Sequence, residues 1–429
     1  MAADTIMTIN RLGFADSELL DFAYLRTLAY ADFGAASAGE VVHVARKIAR
    51  NGGGRDAFVR AWSEQGRIAA RMADDAVAAG RSRTARTFLH RAYNYLRAAE
   101  FFFDRHQDEA FTALYDEGVS HFDRALPLLD TPAERIAIPY QDGVDLPGYF
   151  FAPDDSGAPR PTVVISGGGD GHGEELYFLA GVPHALERGL NVVLFHGPGQ
   201  RGLLHHHPGQ VFRADSEVPF AAVLDYVTAR PDVRADGVAL YGLSFGGYLA
   251  PRAAAHDRRV AALVANAPIV DFHSLIFDAL TTALPAPPPA DAPAEFWNGL
   301  YQQVGSADWA LHATMDNYML WTTGAQTFAD FHRLARSFTL DGLVSKITCP
   351  TLTLSADGEN AVARRQARRF HERLVVPAKA FHRLATEHGA DGHCGLGNIA
   401  LTSSLVYDWL TGVLTGGLPG EPGGGRGRR

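Results

Sequence analysis

The chain has 429 residues, 47% of them hydrophobic and 20% charged, an ordinary globular composition with room for one large α/β domain and an added module. Its formal charge of −9 argues against nucleic acid or an anionic membrane as the main partner. Two cysteines, Cys349 and Cys394, exclude a disulfide framework, and no stretch reaches the roughly 18 uninterrupted apolar residues of a membrane span.

Met1 to Asn10 lacks the basic-then-apolar pattern of a signal peptide, so the expectation is a soluble, cytoplasmic protein. Residues 1–130 read as helices throughout. Asp16-Ser17-Glu18-Leu19-Leu20 offers a cap before apolar residues, and Gly39–Ala49, Asp56–Ala79 and Arg81–Asp104 keep helical spacing. The segment Arg91 to Phe103 is unusually aromatic, which fits a helix buried against the main domain or one that roofs a site. From Arg135 the period changes. Arg135–Pro139 and Leu146–Ala152 alternate around Asp142-Gly143, which predicts a hairpin.

Strands and helices then take turns: Thr162–Ser166, helix Glu175–Arg188, Asn191–Phe195, helix Pro219–Arg230, Val238–Tyr241, helix Gly247–His256 and Val260–Ala265. Near-continuous apolar strands in such alternation predict a mostly parallel sheet covered on both faces. Residues 271–345 break the rhythm with a Pro/Ala-rich run and aromatic segments around Trp297, Trp309, Tyr318 and Trp321, and are expected to lie as a lid over the strand ends. Thr351–Leu354, helix Ala363–Leu374, Ala378–Leu384 and helix Ile399–Leu414 complete the pattern. The expected organisation is a helical cap domain (1–130), an α/β catalytic domain (131–415) with the lid inserted, and a disordered tail (416–429).

The chemistry centres on Gly242-Leu243-Ser244-Phe245-Gly246. A Gly-rich chain can hold Gly-x-Ser-x-Gly by chance, but here an apolar strand precedes it and a helix follows. That context marks a strained turn that lifts a serine hydroxyl above a sheet, which makes Ser244 the expected nucleophile. A serine needs a base, and the base needs an orienting acid, in the order Ser, Asp/Glu, His for this arrangement. Ser355-Ala356-Asp357-Gly358-Glu359 offers two carboxylates just past a strand. The loop Glu387 to Cys394 offers His388 and His393, of which His393 is preferred.

An oxyanion would be held by backbone N–H groups from the turn after Ser244 and from the loop Ile165 to Gly171, whose bare glycines permit close approach. Neither a dinucleotide fingerprint nor a Walker loop is present, and His205-His206-His207 has no partner at metal-ligand spacing, so it reads as a solvated or pocket-edge loop. No cofactor and no metal are expected, and the partner is a small-molecule substrate. Cys394 reads as a small packed residue.

Together, Arg91 to Phe103, Gly167 to Glu175, Gly197-Pro198-Gly199-Gln200, Gly242 to Gly247, Phe338 to Pro350 and Gly389 to Cys394 resemble a group of α/β-hydrolases with an added N-terminal helical domain. That group includes 2,6-dihydroxypseudooxynicotine hydrolase, fungal chain-shortening hydrolases of naphthopyrone pathways and fermentation-respiration switch-like proteins. The resemblance implies the α/β-hydrolase fold and a Ser-acid-His triad. It places the acid at Glu359, where relatives carry Asp, with Asp357 as competitor, and the histidine at His393. It also implies oxyanion donors at Phe245 and at Gly169 or its neighbour Gly168, and a homodimer through the helical module. The activities it implies are cleavage of a carbon–carbon bond next to a ketone in an aromatic or polyketide-like compound, ester hydrolysis, or acyl transfer or cyclisation. A catalytically silent binding protein is the remaining alternative.

Overall fold

A computed structural model describes residues 8–141, 143–282, 284, 287–289, 292–376 and 378–416. The expected tail beyond Gly416 and Asp142 of the expected hairpin turn lie outside these residues, as does part of the Pro/Ala-rich run. Five helices come first: α1 (Glu18–Ala29), α2 (Ala38–Arg50), α3 (Arg55–Ala78), α4 (Ser82–Phe101) and α5 (Asp108–Ala125). The expected cap of α1 is present, with the Ser17 side chain accepting a hydrogen bond from the Leu20 amide. These helices enclose an apolar core in which Tyr24, Val41, Phe58, Trp62, Tyr95, Leu96 and Phe102 are buried, joined by Ala310 and Ala313 from the inserted segment.

The sheet contains β1 (Ala133–Gln141), β2 (Val144–Phe151), β3 (Arg160–Ser166), β4 (Asn191–Phe195), β5 (Val233–Leu243), β6 (Val260–Asn266), β7 (Thr351–Ala356) and β8 (Lys379–Leu384). Its order is β1-β2-β4-β3-β5-β6-β7-β8. The β1–β2 hairpin is antiparallel and β2 meets β4 antiparallel, while every pairing from β4 across to β8 is parallel. Alternate residues feed two cores: Val164, Val193, Leu240 and Leu263 face one layer, and Val163, Ile165, Val192, Tyr241 and Val264 face the other. Burial on both faces is why these strands read as continuous apolar runs. This is the α/β-hydrolase fold with a helical N-terminal region.

One expected helix is two. Glu175–Arg188 divides into Leu176–Leu179 and Val182–Leu186. Gly181 between them takes φ +64, and Pro183 starts the second piece where its missing N–H costs nothing.

Polar side chains tie the helical region to the sheet. Arg26 from α1 grips Glu175 through Nε (2.7 Å) and Nη2 (2.6 Å), and Nη1 donates to Asp170 (2.8 Å). Arg97 from α4 approaches the same Glu175 at 3.2 Å, and Tyr30 also donates to it. A second group surrounds Glu100 of α4, which bonds the Nε2 atoms of His172 (2.9 Å) and His205 (3.1 Å). Of the His205-His206-His207 loop, expected to be solvated or at a pocket edge, His205 departs: it is buried on Glu100 and stacked on Tyr115, while His206 is exposed. A charge with no counter-charge would be costly at these positions, which is why acids and bases occur together.

Candidate active site

Strand β5 ends at Leu243, and the next residue, Ser244, takes φ +59, a conformation rare for a residue with a side chain. The motif glycines allow this turn because their neighbours leave no space for a Cβ. One on Gly242 would sit 2.0 Å from the Gly246 carbonyl oxygen, and one on Gly246 would sit 2.3 Å from the Ser166 oxygen. The Ser244 amide donates to the Asn266 oxygen (3.1 Å), and the Gly247 amide donates to the Ser244 oxygen (2.7 Å), which locks the turn to β6 and to the helix Gly246–His256.

The carboxyl ends of the parallel strands bring the other expected groups to the same place. Gly168 follows β3, Glu359 follows β7 and His393 follows β8. With Ser244 they line one cavity of about 210 Å³. The His393 Nδ1 is 2.7 Å from Glu359 Oε1. Asp357, the competing acid, turns away and is held by Arg383 (2.5 and 2.6 Å) and by the Thr386 amide (3.0 Å). His388 is exposed and outside the cavity. Burial works against a charged imidazole at His393. The adjoining Cys394 thiol group and the Glu359 carboxylate outweigh it and raise His393 well above the ordinary histidine value.

On the oxyanion side, a Cβ on Gly168 would stand 2.9 Å from Ser244 Oγ, so this backbone lies directly against the serine. Gly169 is one residue further and covered by the Tyr318 ring, whose Cε2 is 1.9 Å from where its Cβ would be. The Phe245 ring packs away into the core on Phe212, Phe272 and Phe338 and leaves its amide behind. Among the described residues the amides of Gly168, Gly169 and Phe245 have no hydrogen-bond acceptor.

The expected lid does contribute to the cavity, but mostly through aliphatic side chains: Leu275, Ile276, Leu280, Leu311, Met315 and Met319. Of the four aromatic residues expected there, only Tyr318 lines it. Trp297 stacks on His332, Trp309 packs on Phe58 and Phe102, and Trp321 packs on His205. Aromatic bulk in the lid packs within the lid at Trp297 and against its neighbours at Trp309 and Trp321. Helix α4 adds Arg97, Ala98 and Phe101, so the aromatic segment both packs against the sheet and roofs the site. Cys394 is buried at the cavity wall with φ +61.

The residues that sequence reasoning passed over are Arg26, Arg97, Asp170 and Glu175, all on the cavity lining. Two signals pointed to them: arginines inside the apolar faces of α1 and α4, and acids immediately after the glycine loop. Among the described residues, no group of three or more His, Cys, Asp or Glu is arranged to hold a metal ion, and no helix is long and apolar enough to cross a membrane.

A serine, an imidazole with its carboxylate and free amides around one cavity are the parts of acyl transfer. Residues 50–324 match the family model described as FrsA-like esterase. The chain belongs to the FrsA-like esterase family. This FrsA-like protein is 32% identical over 422 residues to hydrolase LUC6 of a Fusarium species, covering 92% of this chain and 96% of the relative. It is 31% identical over 424 residues to the 20-hydroxy-prefusarin hydrolase FUS2 of Gibberella moniliformis, with 92% and 96% covered. Among solved structures, 2,6-dihydroxy-pseudo-oxynicotine hydrolase shares the fold with a TM-score of 0.63 at 22% identity, over 92% of this chain and 98% of that one. The FrsA-like chain is therefore an enzyme of the α/β-hydrolase type.

Proposed function

We propose that this hydrolase uses Ser244 to cleave the acyl–carbon bond of a ketone-bearing aromatic or polyketide-like compound, through an acyl-enzyme. The observation that carries this reading is that Ser244, at a strained strand-to-helix turn, opens on the same apolar cavity as the His393–Glu359 pair.

In the proposed cycle His393 takes the Ser244 proton as Oγ adds to the ketone carbon. The amides of Phe245 and of Gly169 or Gly168 hold the resulting oxyanion. Collapse breaks the bond to the neighbouring carbon, whose electron pair leaves as an enolate or an electron-rich aromatic carbon, and the His393 imidazolium supplies the proton it needs. Water, deprotonated by His393, then attacks the acyl-enzyme and releases a carboxylic acid. Glu359 holds the imidazole tautomer and steadies its positive form. The name of one relative, a 20-hydroxy-prefusarin hydrolase, supports a polyketide-like substrate.

Ester hydrolysis is the second reading, favoured by the family's description as esterases. It uses the same groups with an alkoxide leaving in place of a carbanion. The deciding experiment offers several aryl 1,3-diketones beside a p-nitrophenyl ester. Diketone cleavage to a carboxylic acid and a methyl ketone supports the carbon–carbon reading. Turnover of the ester alone across the series overturns it.

A further inference from the structure

Two polar groups in the cavity have no part in the acyl-transfer steps. Asp170 binds Arg26 through Oδ2, while its Oδ1 accepts no hydrogen bond among the described residues. The side chain is 24% exposed and lines the cavity. The position a Gly168 Cβ would occupy lies 3.5 Å from Asp170 Oδ1 and 2.9 Å from Ser244 Oγ, so both oxygens face one small volume. Tyr318 stands over the same loop, on the π-helical turn Met315–Leu320, with its ring against Gly169. Such turns recur at functional sites. Its hydroxyl lacks a hydrogen-bond partner among the described residues.

The protonation states of the two groups are complementary. Burial pushes the Asp170 carboxyl up, but the Arg26 guanidinium outweighs it and keeps the group below its ordinary value, an anion that accepts. Burial, reinforced by the Asp170 charge, pushes the Tyr318 phenol up, so it stays protonated and donates. An open acceptor beside an open donor suits a group that can do both. A carboxylate would meet Asp170 as a like charge, since Arg26 is already taken by Glu175 and Asp170. An ammonium would leave the Tyr318 hydroxyl without an acceptor.

We propose that Asp170 Oδ1 and Tyr318 Oη form a recognition subsite for a substrate hydroxyl close to the scissile carbonyl, either an ortho-phenol or the enol of a 1,3-diketone. This rests on the reading of Ser244 as the attacking group. The hydroxyl donates to Asp170 and accepts from Tyr318, which fixes the carbonyl over Ser244. A site built around a charged hydrogen bond discriminates strongly against analogues lacking the hydroxyl.

The test compares phenyl salicylate with phenyl benzoate in wild type, Asp170→Asn and Tyr318→Phe. The ratio of their kcat/KM values is expected to fall about tenfold to a hundredfold in Asp170→Asn, which loses a hydrogen bond to a charged group, and about twofold to tenfold in Tyr318→Phe, which loses one between neutral groups. The same comparison is made in binding, by calorimetry with 2′-hydroxyacetophenone, the ortho-phenol, against acetophenone. That readout needs no turnover, so failure to hydrolyse either ester counts against Ser244 and leaves the subsite to be judged by binding. A wild-type preference for the hydroxylated ketone that both substitutions remove supports the subsite. Equal affinity for the two ketones in wild type, or a preference that survives both substitutions, overturns it.

Discussion

Glu359 and His393, 34 residues apart in the chain, meet at 2.7 Å through Oε1 and Nδ1 at the ends of adjacent strands β7 and β8. The pairing assigns distinct consequences to two carboxylates separated by a single residue. Glu359→Gln is expected to lower kcat by up to about four orders of magnitude, the loss known for the neutral replacement of the orienting acid in a serine protease. Asp357→Asn is expected to stay close to wild type, because it loses only an ion pair with an exposed arginine. Steady-state kinetics on one ester checks both, and the reverse order would move the acid to Asp357.

The same pair sets a pH dependence. In the proposed cycle His393 must be neutral to accept the Ser244 proton, and its pKa is raised above the ordinary 6.5. Activity is therefore low below that raised pKa and climbs as pH passes through it, so the acidic limb of kcat/KM falls above 6.5. Glu359→Gln removes a carboxylate that favours the charged ring, and the limb should move to lower pH. A pH–rate profile of both proteins measures it.

Arg26 connects α1 to the glycine loop after β3, and its removal leaves the half-buried Asp170 without its cation and the buried Glu175 without its two-pronged partner. Arg26→Met is expected to cost about 3–5 kcal/mol, as when one partner of a buried ion pair is lost. Arg97, 3.2 Å from Glu175, compensates in part and favours the lower end of that range. The urea midpoint of the variant tests it.

Gly246→Ala should be damaging although the added group is one methyl. Its Cβ would lie 2.3 Å from the Ser166 carbonyl oxygen and 2.9 Å from that of Gly167, both backbone atoms that cannot swing aside. The helix must back away from β3 and carry Ser244 with it. A destabilisation of about 1–3 kcal/mol, together with loss of turnover, is the expected result in urea unfolding and an ester assay.

The strands and the serine turn were legible because each is a local pattern. Val238 to Tyr241 is apolar and uninterrupted, and the glycines at 242 and 246 bracket Ser244 where a Cβ would collide. The order of acid and histidine also followed, since both sit just past strands. The choice between Glu359 and Asp357 did not come from spacing, since both leave the same turn; the resemblance placed the acid at Glu359, and the fold shows that carboxylate facing His393. The Arg26–Asp170–Glu175 cluster was hidden for a different reason. Arg26 and Asp170 are 144 residues apart, and each looks unremarkable in its own segment. Which lid residue faces the cavity was not legible, because an aromatic segment signals burial without saying what it is buried against: Trp297 covers His332, while Tyr318 lines the cavity.

The central claim is that Ser244 is an activated hydroxyl, and covalent labelling of the folded protein with a fluorophosphonate tests it most directly. An activated Ser244 gives one adduct, mapped by mass spectrometry to Ser244, absent from Ser244→Ala and strongly slowed in His393→Ala. A folded wild-type protein that forms no adduct at Ser244, or one that labels equally fast without His393, would contradict it.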